Sequence, residues 1–122
     1  MGRFLIVCGS GALGCGARYL VGLAVGQRAF PYATLIVNLV GSFLIALIWE
    51  LSLKAGMFSD NMRLALTTGF MGGLTTYSSF NYETTAMANK GEVGRALLYV
   101  GATLIGCMLA GLLGLWLARR IS

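Results

Sequence analysis

Four long apolar stretches with almost nothing between them constrain this chain more than any other feature. They cover about residues 4–25, 32–53, 62–88 and 93–117 of the 122 in the sequence. A helix needs about 20 apolar residues to cross the hydrocarbon core of a bilayer. The chain therefore has length for four spans joined by short loops, and none left for a soluble domain. Composition agrees, since 57% of residues are hydrophobic and 11% are charged, against roughly 25% charge in soluble domains. The expectation is a single all-α transmembrane domain over residues 1–122. The first stretch opens Met1-Gly2-Arg3 like a signal peptide. Its apolar run continues to about Gly26 without a convincing cleavage site, so it reads as a retained span.

The net charge of +5 does not point to nucleic acid. The cations stand singly at span ends and form no basic face, which fits anchoring among lipid headgroups. One membrane side, with both termini and the second loop, carries Arg3, Lys54, Arg63, Arg119 and Arg120; the other carries Arg18, Arg28, Lys90 and Arg95. Five against four is almost no bias. Under the positive-inside rule such a chain is expected to insert in both orientations, and two opposite copies can pair as an antiparallel homodimer. Cys8, Cys15 and Cys107 lie in apolar surroundings without CxxC spacing and read as packing residues. There is no His, no nucleophile with a base, no paired carboxylates and no nucleotide loop, which excludes the enzyme classes that those features mark.

The third stretch is where polarity collects. Residues 69–82 read GFMGGLTTYSSFNY and are followed by Glu83. Broken or polar backbone at membrane depth survives only where protein buries it or water reaches it. The Gly72-Gly73 pair lowers helicity, so a helix break is expected near Gly72 to Thr75. Carbonyls released there can coordinate a cation. Tyr77 and Phe80, three apart, share a face beyond the break. On span two, Thr34, Asn38 and Ser42 repeat every four residues as a polar stripe; Asn38 leans to function and Ser42 to interhelical glue. On span four, Tyr99, Thr103, Cys107 and Gly111 form either a polar track that stops halfway or a packing face. Ala102, Gly106, Ala110 and Gly114 form a small-residue packing seam.

Hydroxyls, the Asn38 amide and aromatic ring edges can all offer positive charge to a ligand. With no Lys or Arg in mid-membrane, they suit a small anion that must bind without being trapped. Arg18 either draws anions to a mouth or snorkels to the headgroups. Glu83 is expected to cap or pair near the span end.

Three motifs make the chain similar to the CrcB/Fluc family of fluoride channels over essentially all four spans. They are GALGCGARY at residues 11–19, TLIVNLVG at 34–41 and GGLTTYSSF at 72–80. The resemblance implies a passive fluoride-selective channel in the prokaryotic inner membrane that relieves fluoride toxicity. It implies an antiparallel, dual-topology homodimer with two pores and a broken third helix. It also implies a structural sodium ion at the dimer centre, held by the backbone carbonyls of Gly72 and Thr75. The implied fluoride path takes Asn38, Phe80, the hydroxyls of Ser78 and Ser79, Tyr99 and Thr103, with Arg18 at the vestibule. Tyr77 stands where the family usually has Phe, Ser79 where it has Thr, and Cys107 and Gly111 where hydroxyls often continue the track. A small proton-coupled multidrug exporter shares the four-span design, but it needs a mid-membrane acid in span one, and none is there.

Overall fold

The computed structural model describes residues 1–122 and contains helices and turns only. Helix α1 spans Gly2–Val25, and α2 spans Tyr32–Lys54. Gly26, at φ 72°, ends α1 by turning into the left-handed region that favours glycine. Pro31 stands just before α2, where its missing N–H costs nothing. The last helix, α6, spans Val93–Ile121. These three helices are each long and apolar enough to cross a membrane.

The third span is assembled from pieces. Ser59 caps α3 (Asp60–Leu64) by accepting the Met62 N–H at 3.2 Å. A π-helical segment, Ala65–Met71, follows without interruption and leads into the short α4, Gly72–Leu74. Thr75 and Thr76 are then extended, at ψ 155° and 118°, and α5 runs Tyr77–Asn89. Thr76 caps α5 through its hydroxyl, which accepts the Ser79 N–H at 3.2 Å. The third helix is therefore broken, as its polarity requires, and it opens at Thr75 and Thr76, at the far end of the expected stretch. Gly73 stays helical because its missing Cβ is used for contact. A Cβ there would overlap the Gly11 carbonyl oxygen of α1 and lie 2.9 Å from the Cys15 nitrogen. Gly14 meets the Phe70 carbonyl in the same way. Backbone-to-backbone approach of this kind is what small residues provide in lipid, where no hydrophobic force drives helices together.

The two halves of the third span have different neighbours. The first half packs on α1, whereas α5 packs chiefly on α6. Helices α2 and α6 form the longest seam. Gly114 lies against the Phe43 carbonyl and the Leu47 nitrogen, and a Cβ on Gly106 would lie 2.9 Å from Leu39 Cδ2. One apolar cluster joins Val37, Met71 and Leu74; the other joins Phe80, Met87, Ala96 and Tyr99. Only 18 of 122 residues are buried, so most of the large apolar side chains face outward. That arrangement suits a solvent of lipid tails and not water.

Candidate functional site

The site grows from the problem that the break creates. Extended residues in the bilayer free backbone groups, and each group left unpaired in hydrocarbon costs several kcal/mol. Asn38 solves this for Thr76. Its Nδ2 donates to the Thr76 carbonyl at 3.1 Å, and its Oδ1 accepts the Thr76 N–H at 2.8 Å. The amide thus pairs with Thr76 as a neighbouring strand would. Arg18 solves it for Gly73, donating from Nε to that carbonyl at 3.1 Å. The Thr75 hydroxyl turns back to the Met71 carbonyl at 2.9 Å. The carbonyls of Gly72 and Thr75 receive no hydrogen bond.

Two grooves flank the Asn38–Thr76 pair. Groove one, about 320 Å³, brings together Asn38, Thr75, Thr76, Tyr77, Phe80 and Thr103, with Gly72, Ser42 and Cys107 on its wall. The Thr103 hydroxyl is buried there and has no hydrogen-bond partner. This is unusual, because a helical threonine commonly bonds back to the preceding turn, as Thr67 and Thr84 do here. Phe80 is buried and presents its ring at tilted, edge-type angles to Tyr77 (5.7 Å, 61°) and Tyr99 (5.1 Å, 67°). Tyr77 itself is 74% exposed on the outer surface of the single chain.

Groove two, about 450 Å³, gathers Arg18, Cys15, Thr34, Thr76, Ser79 and Glu83. Its acid is well covered. Glu83 Oε1 accepts the Thr34 hydroxyl at 2.6 Å, and Oε2 accepts the Tyr99 hydroxyl at 2.7 Å. Tyr99 is fully buried. The hydroxyls of Thr76, Ser78 and Ser79 form a cluster at 3.2–3.3 Å.

The structure thus distributes the residues singled out from sequence. Asn38, Tyr77, Phe80 and Thr103 share groove one; Arg18 and Ser79 lie in groove two. Ser78 is exposed and lines neither groove, although its hydroxyl touches that of Thr76. Tyr99 reaches Glu83 instead of lining either groove. The stripe on α2 also divides, with Thr34 in groove two and Ser42 in groove one. Sequence reasoning passed over Thr76, which caps α5, pairs with Asn38 and walls both grooves. The available signal was a threonine just before a helical run with a serine three residues on. It also passed over the Thr34–Glu83–Tyr99 bridge, which joins three helices and has no local signature.

The family model described as CrcB-like protein, Camphor Resistance (CrcB), matches residues 5–115. A curated relative in Anaeromyxobacter sp. (strain K), named fluoride-specific ion channel FluC, is 49% identical over 100% of this chain and 99% of its own length. Proteins of the same name in Geobacter metallireducens and Geobacter sulfurreducens are 46% and 43% identical. They cover 91% and 99% of this chain, and 92% and 100% of their own lengths.

Proposed function

The chain belongs to the CrcB family, and from that premise we propose that it is a passive, fluoride-selective channel of the prokaryotic inner membrane. It crosses that membrane several times and lets fluoride leave the cytoplasm. Neutral hydrogen fluoride crosses lipid, ionises in near-neutral cytoplasm and is trapped there. An inside-negative potential pushes the anion outward with about 2.3 kcal/mol per charge per 100 mV. Export therefore needs a selective path and no ATP.

One observation carries the choice of ligand: the buried Thr103 hydroxyl without a partner, beside Phe80 and Asn38 in groove one. Fluoride is small and strongly hydrated, so its path must offer donors in place of water. Thr103 can donate its proton. The Asn38 Nδ2 has a second N–H beyond the one given to Thr76. The Phe80 ring edge adds partial positive charge. Ser79 and Arg18 supply donors in groove two, and Tyr77 can add a hydroxyl from the outer rim. Ser78 acts through its contact with Thr76, and Tyr99 by orienting Glu83. The proton-coupled exporter fits poorly: both oxygens of Glu83, the one acid at the grooves, are already engaged by hydroxyls.

The structural sodium ion suits the donor set. The Gly72 and Thr75 carbonyls are hard oxygen donors without internal hydrogen bonds, beside a break of the kind that binds cations in transporters. Bound there, the ion would neutralise those lone pairs and fix the break. The partner in this proposal is a second, oppositely inserted copy, which agrees with the near-even distribution of cations between the two sides. Purified protein in liposomes is expected to release fluoride when a potassium gradient with valinomycin sets the potential, and to retain chloride. Phe80→Ile is expected to suppress that release while the dimer persists. Proton-dependent drug flux without fluoride flux would overturn the assignment, and terminal tags found on one membrane face only would overturn the antiparallel pair.

A further inference from the structure

The grooves at the break adjoin further cavities toward one end of the helix bundle. Groove two shares Ala33, Thr34 and Glu83 with a third cavity of about 450 Å³. That cavity shares Arg28, Phe30 and Tyr32 with a fourth, of about 510 Å³. With Thr76 common to grooves one and two, the four form a string in which each member shares lining residues with the next. It runs from the helix break to the loop between α1 and α2, at one membrane face.

The outermost cavity is cationic. Arg28 enters from the loop and Arg95 from the first turn of α6, and no carboxylate lines the cavity. Each guanidinium is held in place while keeping donors to spare. Arg28 Nε donates to the Val25 carbonyl at 3.1 Å, and both of its Nη groups are without a protein partner. Arg95 forms an ion pair with Glu92 through Nη1, at 3.1 Å, which offsets part of its charge and leaves its other donors free. Ala29, Phe30, Tyr32, Gly94 and Leu98 form the rest of the wall, and low-dielectric walls focus the field of the charges they surround.

We propose that Arg28 and Arg95 form an anion-collecting antechamber from which the cavity string leads fluoride to Asn38 and Thr76. The proposal rests on the channel function above and adds residues outside the three sequence motifs. Glu83 borders the second and third cavities, but each of those also holds an arginine, Arg18 in one and Arg28 in the other. An anion therefore meets a cation on either side of the acid, whose oxygens already carry the Thr34 and Tyr99 hydroxyls. Headgroup anchoring, the ordinary role of arginine at a span end, makes a different prediction about salt.

The test uses full-length wild type, R28Q/R95Q and R28K/R95K in vesicles of neutral phosphatidylcholine. Initial fluoride efflux is measured at submillimolar fluoride, where entry limits the rate, at ionic strengths of ~10 mM and ~1 M. The Debye length falls from about 30 Å to about 3 Å over that range. The glutamine pair is expected to be about fivefold slower than wild type at ~10 mM and within about 1.5-fold at ~1 M. The lysine pair should follow wild type at both. If the glutamine pair does not assemble, single R28Q is expected to show about a twofold deficit with the same salt dependence. Equal rates at low salt, as anchoring alone predicts, overturn the proposal. So does a deficit that persists at high salt, as altered cavity shape predicts. Wild type that passes no fluoride at either salt overturns the channel assignment itself, and is told apart from a wild type that conducts without help from Arg28 and Arg95.

Discussion

Replacing Asn38 by Asp separates what one amide does for the backbone from what it does for the path. Asp keeps an oxygen facing the Thr76 N–H, now 2.8 Å from Oδ1. It also puts a second oxygen where Nδ2 lies, 3.1 Å from the Thr76 carbonyl. One hydrogen bond is lost and a partly buried carbonyl is left without a donor, which weakens the break by about 1–3 kcal/mol. A carboxylate in groove one also repels the ion. At about 4 Å and an effective dielectric near 20, two unit charges interact by about 4 kcal/mol. At tenfold per 1.4 kcal/mol, that slows passage by about a thousandfold. The expected result is fluoride efflux below about 1% of wild type in valinomycin-driven liposomes, with a lower unfolding temperature in detergent. Efflux within about threefold of wild type would refute the role in the path. An unchanged unfolding temperature would refute the role in the backbone.

Two further substitutions divide packing from conduction. Thr103→Val removes a buried hydroxyl that makes no hydrogen bond, so thermal stability should hold or rise by up to ~1 kcal/mol while fluoride efflux falls about tenfold. A loss of both together would mean that Thr103 is structural. Gly73→Ala forces a Cβ into the Gly11 carbonyl of α1 and should cost about 1–3 kcal/mol in thermal unfolding. The same change at Gly16, where a Cβ meets nothing within 4 Å, should be silent.

Much of the fold was legible because its signals are local. Apolar length located the spans, and Ser59, Pro31, Gly26 and Gly91 punctuate their ends. The broken third helix was legible from its glycine pair and hydroxyls, and the expected stretch, Gly72 to Thr75, includes the first residue that opens. Within that stretch glycine carries two meanings. The missing Cβ of Gly73 serves close contact with α1, and the chain opens at the threonines that follow. Asn38 stood out on its apolar helix, but its partner is the backbone of Thr76, 38 residues away. No side-chain pattern encodes a backbone partner, and the same limit hid the Arg18 bond to the Gly73 carbonyl. Glu83 was expected to pair, yet its partners Thr34 and Tyr99 come from two other helices and emerge only when those helices are packed.

The divided loyalties of the third span constrain how the protein can be made. Its first half finds α1, which the ribosome has already delivered, and locks to it through Gly14 and Gly73. Helix α5 finds a smaller partner waiting, chiefly Thr34 of α2, which donates to Glu83. It carries Ser78, Ser79, Asn81, Glu83, Thr84 and Thr85 in 13 residues, far too polar to enter lipid alone. Tyr99, which covers one oxygen of its acid and packs against Phe80, lies on α6 and is synthesised later. Membrane insertion of this chain is consequently expected not to be a sequence of four independent events, because most of the packing of α5 waits for α6.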